Sequence, residues 1–417
     1  MKKILALLIA LMMVFALVAC NSGNTSNAPS AGTSASSADN SSPAAADSPA
    51  AADSPAAAGS PAAGNSDGGG SSPAAQAAGS SIKVDIFWYT FSDTYLTSVR
   101  NAMESELAGV SNINYTMFDC ENDQAKETQM IETALTQGTD LLIVNIVTTD
   151  SVEAAQNICD LAKAKDVPII FFNREVSDTV VNSYSKCCFV GTDADEAGYM
   201  EGQAAAEFLL NGDNLAKFDL DGNKEIAYIM FRGEHGNAEA FGRTKYSVQE
   251  ANRLLASSGY KLVPSKANST STQYDDDGIS NYFLYGNWSA SEAANLMRTA
   301  LSQYRLDDGS IELIIANNDD QALGAIEAMN EAGYNTGDSS AGYIPVFGVD
   351  ATAVAQEAIS AGKMTGTVLQ DAQGMAKCIV LLATNVANGA ELMSSTGSFT
   401  NIDAGVAKIR IPYAIVK

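Results

Sequence analysis

The sequence predicts an α/β protein made of two lobes, each built on a doubly wound parallel sheet. Short apolar runs alternate with helix-forming stretches along residues 82–417, and this alternation favours parallel strands joined by right-handed crossovers. The runs are too numerous for one small sheet, so two lobes with a cleft between them are expected. Polar and aromatic residues follow the strands, at the edge where open sheets bind ligands.

The first lobe is predicted from the region before residue 192. Its first predicted helix carries Val99, Met103 and Leu107 on one face, and Gly138 ends the second. Its predicted strands are 84–89, 112–118, 141–147, 167–172 and 188–191, and its predicted helices are 94–107, 123–137 and 151–163.

The same alternation resumes after Gly191 and continues to the end of the chain. The predicted helices are 196–210, 239–256, 289–304, 322–332, 354–361 and 372–388. The predicted strands are 226–231, 260–264, 311–316, 344–349 and 365–369, and residues 408–416 are expected to be extended.

The N-terminus predicts export. Lys2 and Lys3 precede the apolar run 4–19, and LVAC closes it at Cys20, which gives the three parts of a signal peptide over residues 1–19. LVAC resembles a bacterial lipobox, and the resemblance implies cleavage before Cys20 and a lipid anchor on its sulfur. The alternative is an ordinary signal peptide with a chance cysteine. Residues 20–80 are rich in Ala, Ser, Pro and Gly, which predicts a disordered tether.

Charge and cysteine usage exclude two function classes. The formal net charge is −25, which argues against nucleic-acid binding because that function needs a basic surface. Five cysteines follow Cys20 without a C-x-x-C spacing, so a zinc site is not expected. We expect most of these cysteines to be buried as small hydrophobic residues.

The residues at the strand ends are mostly carboxylates, amides, arginines and aromatics. The stretch 229–244, IMFRGEHGNAEAFGRT, is typical: a buried strand, a polar loop and a helix carrying Arg243. Carboxylates and amides can bind hydroxyl groups, arginine donates in a planar fork, and aromatic rings cover the C–H faces of a sugar. The set therefore predicts a neutral polyol ligand, with helix capping as the alternative role for Asn and Asp. Its members are Phe91, Asp93, Tyr95, Asn145, Asn173, Arg174, Glu175, Asn237, Glu239, Arg243, Trp288, Asn317, Asn318, Asp319, Asp350, Gln370 and Asp371.

Five ordered motifs resemble the periplasmic sugar-binding proteins of ABC transporters, most closely the glucose/galactose-binding family. They are DVPIIFFNRE (166–175), VGTDADEAG (190–198), IELIIANND (311–319), IPVFGVDA (344–351) and AGKMTGTVLQDA (361–372), within a resemblance that covers residues 83–413. The resemblance implies a type I periplasmic binding protein fold, with lobes 82–192 plus 371–410 and 193–370 plus 411–417. Its three hinge segments are expected near residues 191–193, 370–372 and 410–412.

The resemblance also implies a pocket for a monosaccharide. Asn237, Glu239 and Gln370 stand where the family has histidine, aspartate and asparagine, and their sizes leave the identity of the sugar open. His235 could replace the histidine only if the loop slips by two residues. The expected pocket residues are Asp93, Tyr95, Asn173, Asn237, Glu239, Arg243, Trp288, Asn318, Asp350 and Gln370.

A calcium site is implied by the same resemblance. Oxygen ligands at alternate positions suit a hard cation, but Lys224 replaces a turn glycine and Ala227 removes an oxygen. The alternative is a loop that no longer binds metal. The implied ligands are Asp219, Asp221, Asn223, Glu225 and Glu312.

The function expected from the resemblance is a lipoprotein that binds glucose or galactose between its lobes and delivers it to an ABC permease. A chemoreceptor is a possible second partner, and a monomer is expected. The alternatives are a receptor for signalling alone, or a binding protein for a pentose, an inositol or a furanosyl autoinducer. A glycosidase is disfavoured because it needs two carboxylates at a fixed separation around a scissile bond.

Overall fold

The computed structural model describes residues 81–270 and 282–417. The signal peptide 1–19, the lipidation site Cys20 and the whole linker 20–80 lie outside the described residues. None of the helices in the described part of the chain combines the length and apolar character that a membrane span requires.

The N-terminal lobe is built on a six-stranded parallel sheet of order β13-β5-β4-β3-β1-β2. The strands are β1 (Ile82–Trp88), β2 (Ile113–Asp119), β3 (Leu141–Val144), β4 (Ile169–Phe172), β5 (Cys187–Gly191) and, near the end of the chain, β13 (Lys408–Arg410). Its helices are α1 (Thr94–Leu107), α2 (Gln124–Thr136), α3 (Val152–Ala164), α4 (Asp178–Asn182) and α11 (Ala372–Ala387).

The C-terminal lobe has an eight-stranded sheet, of order β14-β12-β11-β10-β6-β9-β8, with β7 paired to β6 beside that path. β14 and β8 run antiparallel to their neighbours. The strands are β6 (Glu225–Arg232), β7 (Lys261–Pro264), β8 (Ser269–Thr270), β9 (Tyr282–Tyr285), β10 (Leu313–Ala316), β11 (Val346–Asp350), β12 (Gly366–Gln370) and β14 (Tyr413–Val416). The helices are α5 (Ala194–Leu210), α6 (Asn214–Phe218), α7 (Ala238–Leu255), α8 (Ala290–Leu301), α9 (Asp319–Glu331) and α10 (Ala353–Ser360), with a 3₁₀ turn at Ala256–Ser258.

Both faces of each sheet are covered, as the continuous apolar runs of the strands require. In the N-terminal lobe one core packs β-strand residues such as Ile86 against Val99 of α1 and Ile379 of α11. The core on the opposite face includes Phe171 and Ile158 of α3. All five cysteines after Cys20 are buried, which confirms their expected role as small core residues.

The chain passes between the two sheets three times: after β5, after β12, and between β13 and β14. These passages confirm the predicted two-lobed α/β fold with a three-segment hinge. Asp371 caps α11 at the second passage, where its carboxylate accepts a 2.9 Å bond from the N–H of Gly374.

Several predicted boundaries differ from the structure. β3 ends at Val144, so Asn145 follows the strand rather than lying inside it. The helices α4 and α6 were not predicted because each has only five residues, too few to show a helical period. The strands β8 and β9 were also missed, and β9 lies at the edge of the cleft, just before Trp288.

Candidate functional site

A cavity with a water-accessible volume of about 40 Å³ lies between the lobes, at the carboxyl ends of the strands. The structure brings all ten predicted pocket residues to this cavity and adds two more. Its lining is Tyr89, Asp93, Tyr95, Asn173, Arg174, Asn237, Glu239, Arg243, Trp288, Asn318, Asp350 and Gln370.

Asp93 and Tyr89 line the cavity on the side of the N-terminal lobe. Asp93 caps α1 by accepting a 2.8 Å bond from the N–H of Leu96, and its second oxygen accepts a 2.8 Å bond from the Tyr89 hydroxyl. Asp93 therefore both caps α1 and lines the cavity. Tyr95, the second residue of α1, is buried and places its hydroxyl 3.9 Å from the sulfur of Met375.

Asn173 lies in the left-handed region, with φ 58°, directly after β4. Asparagine tolerates this conformation better than most residues. Asn145 donates to the Asn173 side-chain oxygen over 3.2 Å and to the carbonyl of Phe172 over 3.0 Å. These bonds fix the orientation of the Asn173 amide, so that its nitrogen remains to meet a ligand.

Two asparagines of the C-terminal lobe also combine capping with pocket formation. The side-chain oxygen of Asn237 accepts from the N–H of Ala240 at 3.2 Å, and that of Asn318 accepts from Gln321 at 3.0 Å. Asn318 also donates to the carbonyl of Trp288 over 3.2 Å. The side-chain oxygen of Asn237 already accepts one bond from the helix end, so its amide nitrogen is the group that remains available to a ligand.

Trp288 is fixed by its backbone and by a glycine behind it. Its φ is 64°, and a Cβ added to Gly233 would stand 2.3 Å from the indole ring. The ring therefore rests directly on the backbone of the loop that follows β6. An indole held in this way offers a flat apolar face to the cavity.

Arg243 connects the pocket to the hinge. It donates to the carbonyl of Asn317 at 2.7 Å, to Gln370 at 3.0 Å and to the Tyr413 hydroxyl at 3.0 Å. Its guanidinium is also 3.6 Å from the carboxylate of Asp350. Only 3% of its side chain is exposed, so these contacts lie in a low-dielectric environment where each is stronger than in water.

The network continues through the three hinge passages. Gln370, at the second passage, donates to the Thr192 hydroxyl of the first over 3.2 Å. Tyr413, at the third passage, donates to the same hydroxyl over 2.8 Å. The longer side chain of glutamine thus spans from Arg243 to Thr192 instead of clashing with the pocket.

Three residues that line the cavity each carry a buried polar atom that has no hydrogen-bond partner among the described residues. These atoms are Oε1 of Glu239, Nε of Arg174 and Nε of Arg243, and each of these residues is at most 5% exposed. An unpartnered buried polar atom costs about 1–3 kcal/mol. Their convergence on one cavity indicates a polar ligand that would satisfy them.

Burial controls the charge of the pocket acids. Loss of water raises the pKa of Glu239 to about 7, against the opposing attraction of Arg243. Burial likewise holds the pKa of Asp350 well above its usual range, although Arg243 favours its charged form. Glu239 is therefore partly protonated at neutral pH.

The predicted metal loop fits a hard cation in part. Asp219, Asp221 and Glu312 bring oxygens within 4.8 Å of one another. Burial, with added repulsion from Asp221 and Asp219, raises the pKa of Glu312 to about 7, as expected for a crowded carboxylate. Asn223 donates to Asp221 at 2.8 Å, whereas Glu225 lies 2.8 Å from Lys261 and outside the carboxylate cluster.

Two residues of the cavity were not among the ten expected pocket residues: Tyr89, which was not singled out at all, and Arg174, which belongs to the strand-end set. Both stand at the carboxyl end of a strand, which is the signal that could have identified them. His235 does not line the cavity, so the loop has not slipped to bring it there.

Comparisons with known proteins agree with this geometry. The D-galactose/methyl-galactoside binding periplasmic protein of Haemophilus influenzae is 31% identical over 340 residues, covering 82% of this chain and 90% of that protein. A putative rhizopine-binding protein of Rhizobium meliloti is 27% identical over 342 residues, with the same coverage of 82% and 90%.

A solved ABC transporter solute binding protein of Bacillus halodurans, with bound myo-inositol, shares the fold with a TM-score of 0.60. Its identity is 24%, and the match covers 82% of this chain and 96% of that chain. The sequence profile of the periplasmic binding protein domain matches residues 84–391. This chain therefore belongs to the periplasmic binding protein family, and is a binding protein rather than an enzyme.

Proposed function

We propose that the cleft binds one neutral monosaccharide, with glucose and galactose as the leading candidates. The observation that carries the proposal is the set of unpartnered buried atoms on Glu239, Arg174 and Arg243, beside amides and an indole face. Hydroxyl groups both donate and accept, so one polyol can satisfy a carboxyl oxygen and two guanidinium N–H groups at once. The name of the Haemophilus relative, at 31% identity, supports galactose.

A second candidate is another polyol, such as a pentose or an inositol. The relative named as a putative rhizopine-binding protein is matched almost as fully as the galactose-binding one. Asn237, Glu239 and Gln370 also differ from the residues implied by the glucose/galactose family. Asn237 presents an amide nitrogen where the family has an imidazole, and this changes the hydrogen-bond donors at one end of the pocket.

Binding is coupled to lobe closure in this proposal. Asp93, Tyr95 and Asn173 come from one lobe, and Glu239, Arg243, Trp288 and Asp350 come from the other. A ligand that contacts both lobes stabilises the closed form over the open one by those contacts. The closed form then presents both lobes to an ABC permease, and no bond of the sugar is made or broken.

The cellular setting is also proposed. A lipid on Cys20 would hold the protein at the membrane, with residues 20–80 as a tether to the permease. A monomer suffices, because one chain supplies both sides of the cleft. A chemosensory role, alone or beside transport, is the alternative, and the presence of permease and ATPase genes beside this one would favour transport.

A thermal-shift screen tests the choice of ligand. We expect glucose or galactose to raise the melting temperature of the purified chain, because a ligand present at about 100 times its Kd stabilises the folded state by about 2.7 kcal/mol. The panel should also contain a pentose, an inositol and a sugar acid. A shift with another polyol and none with either hexose would contradict the choice of sugar, and no shift with any polyol would contradict the proposed function.

We further propose that Asp219, Asp221 and Glu312 bind Ca²⁺ weakly, with water completing the shell. Calcium should raise the melting temperature, because a cation relieves the repulsion that raises the pKa of Glu312 to about 7. Asp221→Asn should abolish this shift without changing sugar binding, since the residue does not line the cavity. An identical melting curve with calcium and with a chelator would rule out the metal site.

A further inference from the structure

Loops from the two lobes meet closely at the mouth of the cleft. A Cβ added to Gly236, in the loop after β6, would stand 2.3 Å from the Cβ of Asp150, in the loop after β3. Gly236 also has φ +75°, which other residues rarely adopt. The backbone of one lobe therefore lies directly against the other in this conformation.

Arg174 lies at this meeting point and is held by its own lobe. It donates to the carbonyl of Val147 over 2.9 Å. Its guanidinium lies over the ring of Tyr89, 4.2 Å from the ring centroid, a cation–π arrangement. Both partners belong to the N-terminal lobe, so the side chain is oriented whether the cleft is open or closed.

Glu234 reaches Arg174 from the opposite lobe. Its carboxylate accepts a hydrogen bond and forms an ion pair with the Arg174 guanidinium. The Arg174 side chain is 5% exposed and that of Glu234 is 28% exposed. Glu234 does not line the cavity, whereas Arg174 does and has its Nε free of partners among the described residues.

We propose that Glu234 is a positioning residue that clamps the C-terminal lobe onto the pre-oriented Arg174 when the lobes close, and so sets the rate of ligand release. The ion pair forms only when closure of the cleft brings Glu234 of the C-terminal lobe to Arg174 of the N-terminal lobe. It therefore stabilises the closed form and not the open one. It therefore slows reopening, while the encounter of the sugar with the open cleft is unchanged. This inference rests on the proposed function, since it concerns the release of the same ligand.

Stopped-flow fluorescence of the full chain, with the sugar identified by thermal shift, tests the clamp. Glu234→Gln removes the charge and keeps the size, and we expect its dissociation rate to rise about tenfold while the association rate stays within about twofold. The matched control is Glu250→Gln, which breaks the exposed ion pair with Arg253 on α7 and is expected to leave both rates unchanged. Glu234→Asp should restore slow release in part.

A double variant that combines Glu234→Gln with Arg174→Gln shows whether Glu234 acts through Arg174 or only through the general stability of the fold. Because Glu234 acts through Arg174, the Glu234→Gln change should have little further effect in an Arg174→Gln background. High salt should accelerate release from the wild type more than from Glu234→Gln, since only the wild type has the ion pair to screen. An unchanged release rate in Glu234→Gln, or an equal effect in both backgrounds, would overturn the clamp. If no sugar binds the wild type, the proposed function itself fails.

Discussion

Arg243→Met is expected to abolish sugar binding, with a loss of affinity of at least about 100-fold, and to destabilise the fold by about 3–5 kcal/mol. The guanidinium holds the carbonyl of Asn317, Gln370 and the Tyr413 hydroxyl. It is also the cation beside the buried carboxylate of Asp350, and removing one partner of a buried ion pair leaves the other charge without compensation. Calorimetric titration and urea unfolding measure the two effects.

Two further variants make this result interpretable. Arg253→Met, an exposed arginine on the same helix, should change the free energy of unfolding by less than about 0.5 kcal/mol. Arg243→Lys keeps the charge but loses the planar fork that reaches three acceptors, so it should fold and still bind poorly. Normal binding by Arg243→Lys would show that charge alone is sufficient at this position.

The second prediction with a large expected effect is that the free energy of unfolding falls as pH rises. The buried carboxyl group of Glu127 is responsible for one part of this fall. Glu127 is buried on α2, and loss of water raises its pKa from 4.5 to about 7. Below pH 4.5 both the folded and the unfolded chain hold this proton, so its contribution to stability is fully present. As pH rises towards 7 only the folded chain keeps the proton, and above 7 the contribution is lost.

Glu127→Gln should therefore unfold with a weaker pH dependence than the wild type. A raised pKa of this size corresponds to about 3 kcal/mol, so the variant should gain about 2–3 kcal/mol relative to the wild type between pH 5 and pH 8. Urea unfolding at the two pH values measures this difference. The control is Glu132→Gln, an exposed residue of the same helix, and equal pH dependence in all three proteins would contradict the role given to Glu127.

The strand-end pattern predicts the edge of the sheets where the ten pocket residues lie, and the family resemblance implies which residues of that edge form the pocket. Asn173 follows β4, Asn318 follows β10, and Asp350 ends β11. The carboxyl ends of parallel strands share one edge, so polar residues that are far apart in sequence become neighbours. The hydrophobic alternation that defines the strands therefore also locates the cleft.

The features of the site that could not be predicted from the sequence depend on contacts between the lobes. The pairing of Arg174 with Glu234 joins residues 60 positions apart on different lobes, and no local pattern encodes it. The same holds for Gln370, whose amide links Arg243 to Thr192 of another hinge passage. The sequence shows only that Gln370 is longer than the asparagine of the family, because Thr192, the partner that accommodates the extra length, cannot be identified from periodicity.

Calorimetric titration of glucose and galactose into the wild type and Arg243→Met tests the central claim most directly. The claim is that one neutral monosaccharide binds between the lobes, on the residues that surround Arg243. It predicts a one-to-one titration with at least one of the two sugars in the wild type, and no measurable heat of binding in the variant. Equal binding in the two proteins, or no binding of either sugar to the wild type, would contradict it.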